Sequence, residues 1–153
     1  MKRLSIIPSV LTVVLVTRSA PAHAQQFYVG GGYGYTFVKG FRDRRNIAFF
    51  VELESRGPLG VRLEGNETTS VLFLTANVTY ALGSRDAPLQ PYLVGGVGTA
   101  LTFNEEELTL NAGGGLRFNL NSKLALFAEA RVFLDSVKSR LIAPVTVGAR
   151  VGL

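Results

Sequence analysis

Apolar and polar positions alternate with a period of two through much of this chain, most regularly in its last third. From Leu108 to Leu120, one series is Leu108, Leu110, Ala112, Gly114, Leu116, Phe118 and Leu120, and the other Thr109, Asn111, Gly113, Gly115, Arg117 and Asn119. Lys123–Asp135 repeats the pattern, with Leu124, Leu126, Ala128, Ala130, Val132 and Leu134 against Ala125, Phe127, Glu129, Arg131 and Phe133. Ile142–Leu153 sets Val145, Val147, Ala149, Val151 and Leu153 against Thr146, Gly148, Arg150 and Gly152. Such alternation marks extended strand, because successive side chains leave opposite faces. Strands this long, apolar on one side and carrying Arg, Glu and Asn on the other, predict a wall with lipid outside and a polar lumen inside. A soluble secreted barrel would turn its apolar face inward.

The same reading gives five earlier strands: Gln26–Val38, Ile47–Ser55, Leu59–Gly65, Ser70–Leu82 and Pro91–Thr102. In the last of these both registers are mostly apolar, and alternation leaves its faces open. Arg56-Gly57-Pro58 and the Gly, Asp and Pro of 83–90 predict turns. Lys39–Asn46, Asn66–Thr69, Phe103–Glu107 and Ser136–Leu141 read as short polar connections at the opposite end. No helix-period stretch follows Gln25, and only helices and closed barrels satisfy every backbone group in lipid. The expected fold is all-β: an eight-stranded antiparallel up-and-down transmembrane β-barrel, with both termini and the tight turns on the periplasmic side.

Residues 1–24 carry a basic tip (Lys2, Arg3), an apolar run from Leu4 to about Val16, and Ala22-His23-Ala24, an A-x-A cleavage site. The expected organisation is a secretory signal peptide over 1–24 and one barrel domain over 25–153. An anchoring helix fits poorly, since Ser5, Pro8, Ser9 and Thr12 interrupt a run shorter than the roughly 20 residues needed to span. Three of the 16 basic residues, Lys2, Arg3 and Arg18, leave with the leader, which lowers the net charge from +5 to +2. No nucleic-acid partner is implied by so small a balance. The chain has no cysteine, and its one histidine, His23, lies in the leader. A mature chain without either lacks the usual general base, soft metal ligands and Ser-His pair. No enzyme activity, cofactor or metal is expected.

The polar faces collect Glu52, Glu54, Glu64 and Glu129 against Arg62, Arg117, Arg131 and Arg150, four acids and four bases. An eight-stranded barrel is only wide enough for side chains to fill its interior. These groups are therefore expected to pair as a plug, or to line a narrow passive path for small ions. Glu52 and Glu54 do not call for acid–base catalysis in a charge-balanced lumen. Lys39, Arg42, Arg44 and Arg45 form a basic stretch that either binds the anionic sugars and phosphates of lipopolysaccharide or is ordinary solvated charge. Glu105, Glu106 and Glu107 raise a divalent-ion hypothesis against the same plain alternative. The Gly-Gly-Gly runs at 30–32 and 113–115 lead into no helix and lack a Lys-Ser/Thr tail, which disfavours phosphate binding.

Three further features carry a resemblance: the opening Phe27-Tyr28-Val29-Gly30-Gly31-Gly32-Tyr33-Gly34, then Pro91-Tyr92-Leu93-Val94-Gly95-Gly96-Val97-Gly98, and Gly113-Gly114-Gly115-Leu116-Arg117-Phe118 with Phe127-Ala128-Glu129-Ala130-Arg131. Together with the leader they make the chain similar to the small outer-membrane β-barrel superfamily, the eight-stranded OmpA and OmpX type. Such barrels usually end in an aromatic residue, where this chain has Leu153. The resemblance implies outer-membrane lipid and lipopolysaccharide as surroundings, and the secretion and barrel-assembly machinery as partners. The family spans scaffolds, adhesins and narrow pores, and the barrel alone does not choose among them. The expectation is a monomeric, non-enzymatic scaffold, with a narrow channel as the alternative.

Overall fold

The computed structural model describes residues 26–38, 41–68, 71–84, 87–102, 106–135 and 141–153. The expected leader lies outside them. Eight strands follow in chain order: β1 Gln26–Val38, β2 Phe41–Glu54, β3 Leu59–Thr68, β4 Val71–Ala81, β5 Leu89–Leu101, β6 Glu106–Asn119, β7 Leu124–Asp135 and β8 Leu141–Gly152. Each pairs antiparallel with the next, and β1 closes on β8 from Tyr28 opposite Gly152 to Val38 opposite Ile142. Closure leaves no sheet edge, so the wall meets the backbone requirement of a lipid environment.

The exterior is apolar. Tyr33, Phe49, Val78, Leu93, Val97, Leu110 and Val147 are all exposed on it, whereas the alternate positions of the same strands are buried in the lumen. At the end holding the termini, the hairpins turn over Ser55–Pro58, the segment after Leu82, and Leu120–Lys123. Ser55 N–H donates to Leu59 O at 3.0 Å, and Asn121 Oδ1 accepts from the Lys123 and Leu124 amides at 2.8 Å each. Gly83 has φ of 89°, a left-handed backbone that suits glycine.

Three connections differ from expectation in the same way. β2 starts at Phe41, so Arg42, Arg44 and Arg45 belong to a strand and not to the polar connection expected over Lys39–Asn46. Arg44 lies opposite Thr36 and Arg45 opposite Tyr35, and a register shift between Thr36 and Val38 puts a bulge at this rim. β3 runs on to Thr68, taking Asn66 and Thr68 out of the expected turn, and β6 begins at Glu106. The physical reason is common to all three. Polarity along the chain marks where lipid stops, but backbone N–H and C=O groups keep pairing past that level as long as a neighbouring strand is there to accept them.

The open faces of β5 are now assigned. Gln90, Tyr92, Val94 and Ala100 are buried in the lumen, while Leu89, Leu93 and Val97 are exposed outside.

Candidate functional site

Inward-pointing side chains fill the lumen. Nearer the termini lies a network of ion pairs. Arg117 bonds Glu54 at 2.6 Å and Glu52 at 2.7 Å, and Arg150 bonds Glu54 at 2.5 Å and reaches Glu52 at 3.4 Å. Arg131 pairs with Glu64 and with Glu129. Arg62 joins the two groups, lying 3.2 Å from Glu52, 2.7 Å from Glu129 and 3.6 Å from Glu64. Arg62, Arg117 and Glu52 are each 1% exposed. The eight charged residues whose alternation points inward are thus brought into one connected cluster. Charges this deep are tolerable only when paired and hydrogen-bonded.

Uncharged groups fix the cluster in place. Thr79 Oγ1 donates to Glu52 at 2.7 Å, and Tyr92 Oη donates to Glu129 at 2.6 Å. The guanidinium of Arg62 stacks 4.2 Å over Phe50, that of Arg117 4.3 Å over Tyr92, and that of Arg150 4.0 Å over Tyr28. These are cation–π contacts in a desolvated setting, where they are strongest. Phe50 meets Phe127 edge to face at 5.5 Å. The bulk needs room, which glycine supplies: a Cβ on Gly115 would come within 2.8 Å of Tyr92 Oη. This is the physical use of one of the glycine runs.

Tyr92 and Thr79 are the functional groups that charge patterning misses. Thr79 is a neutral position among inward threonines. Tyr92 sits on the strand whose two faces look alike, and the marker for it is Gln90, the one strongly polar residue of that strand, which shares its parity.

Away from the termini the lumen changes character. Asn46 Nδ2 donates to Thr146 Oγ1 at 2.8 Å, Asn111 Nδ2 to Asn77 Oδ1 at 2.8 Å, and Asn77 Nδ2 to Thr75 Oγ1 at 2.9 Å. The Asn77–Asn111 bond connects β4 to β6 over Gly96 of β5. A Cβ there would run into the Ala76 carbonyl oxygen and Asn77 Oδ1. Beside these amides Phe73 and Phe133 pack together with ring centres 4.7 Å apart, backed by Ala100, Val71 and Ile142.

The basic rim is not a single loop. Lys39 lies outside the described residues, Arg42 and Arg44 take part in β2 through their backbone, and Arg45 is exposed. Glu105 is likewise outside them. Glu106 and Glu107 are consecutive residues of β6, whose side chains leave opposite faces, which separates them as ligands. Among the described residues no group of three His, Cys, Asp or Glu is arranged to hold a metal ion.

Neither a protein-family model nor a curated protein matches the sequence. Solved structures do. A designed transmembrane β-barrel superposes with a TM-score of 0.63 at 19% identity, over 84% of this chain and 95% of its own. The Neisserial surface protein A gives a TM-score of 0.63 at 13% identity, over 83% and 96%. The outer membrane enzyme PagL gives 0.54 at 13%, over 81% and 98%. At these identities the likeness establishes the fold, that of the small eight-stranded outer-membrane β-barrels.

Proposed function

We propose that this chain is a non-enzymatic integral protein of a bacterial outer membrane, a compact structural or surface scaffold whose lumen is a standing plug. The observation that carries this reading is Arg62, held by carboxylates from β2, β3 and β7 at once. To open a path, that guanidinium must leave three buried acids, and an uncompensated buried charge costs about 3–5 kcal/mol. Glu52, Glu54, Glu64 and Glu129 are each committed to at least one arginine, which removes these four as general bases. The fold also serves the enzyme PagL, so support for a non-enzymatic role comes from these commitments and from the position of His23 in the expected leader.

The outer wall suits outer-membrane lipid. The basic sequence of Lys39, Arg42, Arg44 and Arg45 is suited to lipopolysaccharide phosphates. Monomeric insertion through the secretion and barrel-assembly machinery belongs to the same reading. The test is single-channel recording in a planar lipid bilayer, on refolded protein whose gel mobility changes on boiling. A silent bilayer is expected; steady, reproducible openings would replace the scaffold by a narrow passive channel.

A further inference from the structure

The glycine run at 30–32 lies on the strand that closes the barrel. β1 meets β8 there, and the inward positions of β1 between Tyr28 and Thr36 are Gly30, Gly32 and Gly34. In register, Gly34 stands between Asn46 of β2 and Thr146 of β8, Gly32 between Ala48 and Gly148, and Gly30 between Phe50 and Arg150. With no side chain on β1 at these three levels, residues of β2 and β8 can touch across it.

They do so at both ends of the glycine row. Asn46 Nδ2 donates to Thr146 Oγ1 at 2.8 Å across Gly34, where a Cβ would run into the Val145 carbonyl oxygen. At the other end the guanidinium of Arg150 stacks 4.0 Å over Tyr28 and donates past it to Glu54 at 2.5 Å and Glu52 at 3.4 Å, both on β2. Between these bonds Phe127 of β7 covers the seam. A Cβ on Gly32 or Gly148 would lie 3.1 or 2.7 Å from its Cζ, and its ring meets Phe50 of β2. All of these bridging side chains are more than nine-tenths buried.

The other three lumen arginines tie opposite walls. Arg117 of β6 reaches Glu52 and Glu54 of β2, Arg131 of β7 reaches Glu64 of β3, and Arg62 of β3 reaches Glu129 of β7, each four strands away. Of the four, Arg150 alone spans the seam.

We propose that Arg150 and Thr146 form a clasp: from β8 they grip β2 over the glycines of β1 and hold the closing seam shut from inside the lumen. Cross-strand side-chain pairs stabilise a ladder, and a glycine-rich strand supplies few of them. The clasp compensates with one charge-assisted bond and one neutral bond, both buried, where such bonds are strongest. It goes beyond the plug reading, because a seam can be clasped around a conducting lumen as well as a closed one. Removal of Arg150 leaves Glu52 and Glu54 paired with Arg117, which separates the clasp from the plug.

Amide hydrogen exchange, read residue by residue by NMR on isotope-labelled protein in nanodiscs, tests the clasp. In Arg150→Met the backbone amides of β1 and β8 are expected to exchange roughly tenfold faster or more, the factor for losing a hydrogen bond to a charged group, with β4 and β5 unchanged. Arg131→Met, which cuts a bond between opposite walls, should not single out β1 and β8. Thr146→Val keeps the side-chain shape and removes the neutral bond; a rise of about two- to tenfold, again confined to β1 and β8, is expected. If Arg150→Met does not fold, Thr146→Val carries the test. Exchange in β1 and β8 that rises no more than in β4 and β5 would overturn the clasp. The same seam-confined rise in Arg131→Met would overturn it too.

Discussion

The two halves of the lumen are filled by different physics inside one continuous wall. Nearer the termini, four arginines and four glutamates interlock, with aromatic rings under three of the guanidiniums. Away from the termini, asparagines and threonines make neutral hydrogen bonds beside an apolar pair. The strands pass from one to the other without a break, so what differs is the energy at stake per residue. In the first half, deletion of one partner strands a buried charge; in the second it strands a dipole.

That contrast is tested most severely by Arg62→Leu. It removes the cation shared by Glu52, Glu64 and Glu129 and is expected to cost about 3–5 kcal/mol in urea unfolding from lipid vesicles. A cost near zero would erase the difference between the halves. Val147→Arg, which puts a charge on the exposed outer face, is expected to cost about 2–4 kcal/mol if the site lies near the membrane midplane. Equal tolerance of Arg and Ala there would show that the wall enclosing both halves does not face lipid. Thr79→Val removes a hydrogen bond to the Glu52 carboxylate, with an expected loss of about 1.5–3 kcal/mol. Asn111→Ala, the matching deletion in the neutral half, should cost only about 0.5–1.5 kcal/mol, again by urea titration. If Asn111→Ala proved more damaging than Thr79→Val, the assignment of the stronger interactions to the ion-pair half would be wrong.

Much of the wall is legible in sequence because a lipid-facing strand must alternate. Val145, Val147 and Val151 against Thr146 and Arg150 leave one choice of face. The same logic puts Glu52, Arg62, Arg117 and Glu129 on the inner side before any contact is known. Three things escape it. Alternation says which way a side chain points but not how high in the barrel it sits, so the separation into two halves depends on register, which sequence does not print. Nor does it distinguish the inner face of β5, where Leu93 and Val97 look no different from Val94. Finally, strand ends follow backbone pairing, and the polar residues Arg42, Arg44 and Asn66 continue ladders that composition suggests should stop.

The claim that the lumen is a locked ion-pair plug is tested most directly by a double-mutant cycle in folding free energy on Arg62→Met and Glu129→Gln, the pair 2.7 Å apart that joins the two ion-pair groups. The account predicts a coupling of about 0.5–3 kcal/mol, the range expected for groups sharing one buried network. Additive effects, with coupling indistinguishable from zero, would mean that the two groups are energetically separate and that Arg62 locks nothing.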